Sequence, residues 1–74
     1  MALVGKGITF DTGGLNLKPT GFMELMFKDK CGACAVMGAL HGTMNLQLQK
    51  NVVFVMALAE NAIGAEVYKP GDII

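Results

Sequence analysis

Four charged side chains near the start of the chain could do metal chemistry: Lys6, Asp11, Lys18 and Asp29. Carboxylate oxygens suit divalent cations, and an ammonium group beside such cations could face a polarised substrate. Lys6 stands between two glycines in an apolar stretch, where an unpaired buried ammonium would cost much free energy. We therefore expect Lys6 either to point out of an edge strand or to have a defined partner.

The two aspartates also have an ordinary structural interpretation. Asp11 opens the turn-forming run Asp-Thr-Gly-Gly, and Asp29 comes shortly before a predicted helix. Aspartate is common at both kinds of position because its side chain accepts hydrogen bonds from nearby backbone N–H groups. The local pattern alone leaves the structural and the metal-binding interpretations open.

The predicted elements bring these charged residues to one edge of a sheet. Residues 3–10 predict a strand that ends at Asp11, residues 31–44 a helix, and residues 52–59 an apolar strand buried on both faces of a parallel sheet. Strand, loop, helix and strand form a βαβ unit, so the fold class is α/β. Open α/β sheets bind ligands at the carboxyl ends of their strands, which is where Asp11 and the loop carrying Lys18 lie.

The connecting segments are predicted from their turn residues. Residues 12–21 have loop composition with a possible extended stretch at 15–18, and residues 22–27 predict a short helical turn. Residues 68–72 predict a turn that leads into Ile73 and Ile74, which resemble the first residues of a further strand. We expect residues 1–74 to be a single, incomplete domain, truncated from a three-layer α/β/α catalytic domain.

Composition excludes several classes of protein. Six lysines balance six acidic residues and there is no arginine, so the chain lacks the basic footprint of a nucleic-acid or membrane-surface binder. The longest apolar run is far shorter than a membrane span. The amino terminus lacks the layout of a secretory signal, and two cysteines make no disulfide framework. We expect a cytoplasmic setting without nucleic-acid or membrane partners.

Residues 4–14 read Val-Gly-Lys-Gly-Ile-Thr-Phe-Asp-Thr-Gly-Gly and continue as Leu-Asn-Leu-Lys. This run resembles the signature of the leucyl aminopeptidase (M17) family, and the likeness continues through Met26, Asp29, the helix, the apolar strand and the Lys-Pro-Gly-Asp-Ile segment at 69–73. The resemblance covers essentially the whole chain. It implies part of the catalytic domain of a metal-dependent aminopeptidase that takes peptides with a free N-terminus and assembles as a homo-hexamer.

The resemblance also implies a role for each matching residue. Asp11 would bridge two divalent metal ions, Mn²⁺ or Zn²⁺, while Asp29 and the Lys6 amine would ligate one of them. Lys18 would polarise the peptide carbonyl and stabilise the oxyanion formed when water activated by the two metals attacks. Met26 would line the pocket for the first side chain of the substrate.

The chain also departs from the family pattern. The family's Asn-Thr-Asp-Ala-Glu-Gly-Arg segment, with two further metal ligands and an arginine that holds bicarbonate, is not present in these residues. We therefore expect the isolated chain not to hydrolyse peptides. Lys30-Cys31-Gly32 replaces the usual Met-Gly-Gly or Met-Ser-Gly, and Phe27 replaces a basic residue.

Two alternatives to the aminopeptidase follow from the same residues. One is an inactive chain, or a weak metal-binding module with a single site. The other is a thiol redox protein, because Cys31 and Cys34 form a C-x-x-C motif at the predicted helix start, although packing explains such cysteines more simply. His41, late in the helix, is expected to have a solvent or helix-end role, and the Glu60-Asn61 pair to support the loop.

Overall fold

The computed structural model describes all 74 residues and contains two strands, a helix and a short 3-10 turn. Strand β1 is Ala2–Asp11, the 3-10 turn is Met26–Lys28, helix α1 is Cys31–Asn45 and strand β2 is Val53–Asn61. The two strands pair in parallel, with α1 as the crossover between them. This confirms the predicted α/β fold class and the βαβ unit.

Strand β1 positions the first candidate residues by its alternation and by one irregularity. Gly5 and Gly7 are buried, whereas Lys6 between them is exposed, as the two-residue period of a strand requires. Lys6 pairs with Ala57 in the parallel register, and the register then shifts between Ile8 and Asp11. The irregularity sets Asp11 opposite Asn61, the last residue of β2.

Helix α1 starts at Cys31 as predicted and ends one residue beyond the predicted boundary, at Asn45. Its buried residues are Ala33 and Val36, whose small side chains allow close packing on the sheet. Asp29 does not cap this helix, because Lys30 occupies the N-cap position and makes no side-chain capping bond. The interpretation of Asp29 as a helix-capping residue was wrong.

Burial in β2 differs from the sequence prediction. The strand was expected to be buried on both faces, yet Val53, Val55 and Leu58 are 61%, 40% and 66% exposed. The reason is that a single helix packs on a sheet of only two strands. The buried apolar core of the chain therefore consists of Phe10, Ala33 and Val36. A strand with this composition is suited to more neighbours than the two-stranded sheet provides.

Three shorter predictions also change. The helical turn expected at residues 22–27 forms later, at Met26–Lys28, and residues 15–18 contain a turn and a bend rather than an extended stretch. Ile73 and Ile74 are exposed and belong to no strand. No helix has the length and apolar character needed to cross a membrane.

Candidate functional site

Asp11 is held by three polar neighbours at the carboxyl end of β1. Its Oδ1 atom accepts hydrogen bonds from the Gly13 backbone N–H at 2.9 Å and from the Asn61 side-chain amide at 2.7 Å. Its Oδ2 atom lies 3.4 Å from Lys18 Nζ. The hydrogen bond from Gly13 and then that from Asn61 lower the pKa of Asp11, and Lys18 lowers it further, while burial opposes them. The carboxylate is therefore kept ionised in a fixed orientation.

The loop after Asp11 is closed by Thr12, a buried residue that sequence reasoning did not single out. Its backbone N–H and its hydroxyl both donate to the Asn61 carbonyl, at 3.0 and 2.8 Å. Its own carbonyl accepts the Lys18 backbone N–H at 2.9 Å. Gly13 makes the turn possible with φ of 93°, a left-handed conformation that side chains rarely adopt. The main chain of Lys18 is thereby anchored beside Asp11.

Asp29 follows the 3-10 turn and faces Lys6. Its backbone N–H donates to the Met26 carbonyl at 3.2 Å, and its Oδ2 atom lies 2.8 Å from Lys6 Nζ. This buried Oδ2 atom has no hydrogen-bond partner, so the Lys6 contact is a close ion pair without hydrogen-bond alignment. Lys6 thus combines both sequence expectations, since its side chain is 62% exposed and has a defined partner.

The pKa of Lys6 responds to both aspartates of the site. The short polar contact with the Asp29 carboxylate is the main cause that raises the pKa of Lys6, with desolvation opposing it. The charges of Asp29 and of Asp11 raise the pKa of Lys6 further, so both carboxylates lie within electrostatic reach of the amine. The fold therefore brings Lys6, Asp11, Lys18 and Asp29 into two neighbouring ion pairs at the edge that the sequence predicted.

These residues supply part of a donor set for a divalent cation. Two carboxylates are available, and the Asp29 Oδ2 atom now faces the Lys6 ammonium at 2.8 Å. The Lys6 nitrogen could act as a ligand only after losing its proton, which a nearby divalent cation would favour. No group of three or more His, Cys, Asp and Glu side chains is close enough together to hold a metal ion. Lys6, Asp11 and Asp29 fit the chemistry of metal ligation, although they do not make a closed all-carboxylate cage.

Met26 is half-buried at the start of the 3-10 turn. A cleft of about 410 Å³ adjoins the Asp11 loop, and its walls include Thr12, Leu17, Met23 and Lys69 but not Met26. Met26 contributes its carbonyl to the positioning of Asp29. Its side-chain role in substrate binding stays a prediction.

A third charged cluster lies around Lys69 and was not foreseen from the sequence. Lys69 Nζ contacts Asp72 at 2.7 Å and Glu60 at 3.2 Å, and it lies 6.0 Å from the ring centre of Phe10. Hydrogen bonds to Asp72 and then to Glu60 raise the pKa of Lys69. This cluster joins the end of β2 to the turn at residues 69–72, and all its charges are paired within the chain.

The remaining candidates lie outside the site. Cys31 and Cys34 are free and exposed, and Cys31 Sγ donates to the Lys28 carbonyl at 2.9 Å. The Asn45 amide nitrogen lies 3.2 Å from His41 Nε2, which agrees with the predicted helix-end role of His41. The predicted loop-supporting role of Asn61 is confirmed by its hydrogen bonds to Asp11 and Thr12.

Comparisons with known proteins give the family. Residues 1–74 match the model of the cytosol aminopeptidase family, catalytic domain. The chain is 54% identical over 72 residues to a "Probable cytosol aminopeptidase" of Geobacter sulfurreducens, covering 97% of this chain and 14% of that protein. A protein of the same description from Nitrosospira multiformis is 47% identical over 74 residues, covering 100% of this chain and 14% of that protein. The chain thus spans about one seventh of these relatives, and it belongs to the M17 cytosol aminopeptidase family, within the catalytic domain.

Proposed function

We propose that this chain forms part of the site of a metal-dependent aminopeptidase, in which Lys6, Asp11 and Asp29 hold divalent cations. The supporting observation is the Asp29 carboxylate, whose buried Oδ2 atom has no hydrogen bond and lies 2.8 Å from the Lys6 amine. A buried carboxylate oxygen needs a compensating positive charge. The Lys6 ammonium supplies that charge in this structure, and a divalent cation would supply it in the loaded site. The family relationship supports the aminopeptidase part of the proposal, and metal use is proposed from the resemblance of residues 4–18 to the family signature.

Each side chain has a separate task in this proposal. Two divalent cations, Mn²⁺ or Zn²⁺, supply activation of water and polarisation of the peptide carbonyl when they are bound. Asp11 keeps its charge and orientation through Gly13 and Asn61. Lys18 presents its ammonium where negative charge develops on the carbonyl oxygen, and its anchored main chain keeps that charge preorganised. Met26 contacts the first side chain of the substrate.

For the whole protein we extend the proposal beyond these residues. It removes N-terminal residues from peptides in the cytoplasm, and it assembles as a homo-hexamer. Bicarbonate assists proton transfer there, held by an arginine outside residues 1–74. These parts of the proposal rest on the family relationship, because the chain covers 14% of the relatives it matches.

Hydrolysis of leucine amide with added Mn²⁺ tests the proposal on the protein expressed from its complete gene, called the native protein below. We expect Lys18→Met to lower kcat by about 10²–10³-fold, the usual loss when one group that stabilises an oxyanion is removed. Lys50→Met is the matched control, because Lys50 is an exposed lysine that makes no ion pair. Equal activity of the two variants, or no turnover by the unaltered protein, would contradict the proposal.

The isolated 74-residue chain has a second candidate function as a weak metal-binding module without catalysis. The Asp11 and Asp29 carboxylates supply oxygen ligands for such a module, and the lack of any group of three or more His, Cys, Asp and Glu side chains suited to a metal argues against a tight site. We expect no hydrolysis of leucine amide, but saturable heat on titration with Zn²⁺ that Asp11→Ala abolishes. Turnover by the purified chain would refute the inactive interpretation, and the absence of saturable heat would refute the module.

A thiol oxidoreductase is the third candidate, because both cysteines of the C-x-x-C motif are free and exposed. Reduction of insulin by the native protein, lost in Cys34→Ser, would support it. We expect no insulin reduction, since the family relationship already accounts for the chain without redox chemistry.

A further inference from the structure

Strand β1 and helix α1 come into close backbone contact at two glycines, Gly5 and Gly32. A Cβ atom added to Gly5 would lie 2.4 Å from the Gly32 carbonyl oxygen, 2.6 Å from the Gly32 carbonyl carbon and 2.8 Å from Ala33 N. A Cβ atom on Gly32 would lie 3.0 Å from Lys6 N and 3.1 Å from Lys6 O. All these neighbours are backbone atoms, so no side chain could swing away to make room.

This contact is adjacent in sequence to both residues of the Lys6–Asp29 pair. Gly5 immediately precedes Lys6 in β1, and Gly32 follows Asp29 by three positions, at the start of α1. The Lys6 side chain is long and 62% exposed, so its surroundings do little to hold its amine. The distance between the two backbones therefore sets how far the Lys6 side chain must extend to bring Nζ to Asp29 Oδ2.

We propose that Gly5 and Gly32 are positioning residues: the absence of side chains lets the start of α1 approach β1 closely enough for Lys6 and Asp29 to serve one site. The metal-binding part of this inference rests on the proposed function, whereas the positioning of the ion pair does not. A Cβ at Gly5 forces the backbones apart by about 1 Å before ordinary van der Waals contact is reached. A Cβ at Gly32 needs only a few tenths of an ångström.

The other glycines of α1 provide a matched comparison. Gly38 lies in the same helix and has no heavy atom within 4 Å of an added Cβ. Alanine is favoured over glycine inside a helix by roughly 1 kcal/mol, so Gly38→Ala adds a methyl group and helix propensity without a clash. A difference between Gly32→Ala and Gly38→Ala therefore reports mainly on the contact with Lys6.

A zero-length carbodiimide crosslink reports whether the Lys6 amine and the Asp29 carboxylate are in contact, and it needs neither bound metal nor enzyme activity. It joins an amine to a carboxylate only where the two groups meet, and Lys69–Asp72, at 2.7 Å, is an internal reference far from the contact in sequence. In the metal-free native protein we expect Gly5→Ala to lower the Lys6–Asp29 crosslink at least threefold relative to the reference. Gly32→Ala should lower it less, and Gly38→Ala should leave the ratio unchanged.

Two outcomes would overturn the inference. One is an unchanged crosslink ratio in both Gly5→Ala and Gly32→Ala. The other is loss of both crosslinks in both variants, which would mean that the contact serves the whole fold rather than the pair. If Gly5→Ala alone loses both crosslinks, the Lys6–Asp29 crosslink in Gly32→Ala decides between the two explanations. The Gly32 substitution requires a smaller displacement of the two backbones.

Mn²⁺ affinity separates this inference from the proposed function. We expect the affinity of the native protein for Mn²⁺, measured by calorimetry, to fall about tenfold in Gly32→Ala and to stay within twofold in Gly38→Ala. Equal affinities in the two variants would overturn the link from the contact to the metal site. Absence of both Mn²⁺ and Zn²⁺ binding in the unaltered protein would refute the proposed function, and the crosslink result would still decide the positioning of the pair.

Discussion

The two aspartates of the site are held in opposite ways. Asp11 has both oxygens engaged, by Gly13 and Asn61 on one and by Lys18 on the other. Asp29 offers a buried oxygen whose only close partner is the exposed Lys6 amine. Hydrogen bonds within the chain therefore orient Asp11, whereas a single ion pair holds the Asp29 Oδ2 atom, and a divalent cation could take the place of that pair.

Removing the Asp11 carboxylate should have the largest effect on stability. Asp11→Ala leaves the Gly13 N–H and the Asn61 amide without their acceptor, and each of these partly exposed hydrogen bonds contributes about 1–1.5 kcal/mol. We expect the free energy of unfolding of the native protein to fall by about 2–3 kcal/mol in urea titrations followed by circular dichroism. Asp29→Ala is the matched variant and should cost less than Asp11→Ala, because it removes a single ion pair that is exposed on its lysine side. Equal losses of unfolding free energy in the two variants would mean that the two aspartates contribute equally to the fold.

The Asn61 side chain, on β2, is one of the groups that hold Asp11. Asn61→Ala keeps the carbonyl that Thr12 bonds but removes the amide that donates to Asp11. We expect a loss of about 1 kcal/mol in the free energy of unfolding, the usual net contribution of one hydrogen bond. Asn45→Ala is the control, because its amide contacts only the exposed His41. A loss as small as that of the control would mean that Asn61 does not hold Asp11.

Lys6→Met should separate stability from metal binding. Its ion pair with Asp29 is exposed on the lysine side, and such pairs contribute about 0–1 kcal/mol. We therefore expect little change in the urea midpoint but at least a tenfold loss of Mn²⁺ affinity in calorimetry. Lys50→Met is the control for loss of charge. Unchanged affinity in Lys6→Met would remove Lys6 from the proposed ligands.

The smallest effect is expected at the Lys69 cluster, outside both aspartate regions. Hydrogen bonds from Lys69 lower the pKa of Asp72 below its ordinary value. A lowered pKa means that the stabilisation is present above the ordinary aspartate range and is lost as the pH falls towards the folded-state value. We expect Asp72→Asn to flatten the acid side of the stability profile slightly, measured by urea unfolding between pH 6 and pH 3. A steeper acid side would contradict the assigned sign.

Much of the fold and part of the candidate site could be predicted from the sequence. The starts of β1 and β2 and both ends of α1 lie within one residue of the predicted boundaries, because apolar runs and turn residues mark them. The carboxyl-edge rule also predicted that Asp11 and the Lys18 loop would meet. The resemblance to the family signature suggested roles for these residues, which their types alone left open and which stay predictions.

The partners of the two aspartates could not be predicted in the same way. The register shift that sets Asp11 opposite Asn61 depends on backbone geometry, for which the local sequence has no marker. The position of Asp29 depends on the 3-10 turn and on the Gly5–Gly32 contact, a tertiary approach between distant segments. Burial of β2 was predicted wrongly because its apolar composition suits more neighbours than a two-stranded sheet provides.

Whether the Asp29 carboxylate holds a divalent cation can be tested by Mn²⁺ binding to the native protein and to Asp29→Asn, followed by the electron paramagnetic resonance signal of free Mn²⁺. We expect saturable loss of the free signal with the unaltered protein. We also expect at least tenfold weaker binding by Asp29→Asn at an unchanged urea midpoint, because this carboxylate contributes more to cation binding than to stability. Equal Mn²⁺ affinity in the two proteins, or a large loss of stability in Asp29→Asn, would contradict this role of Asp29.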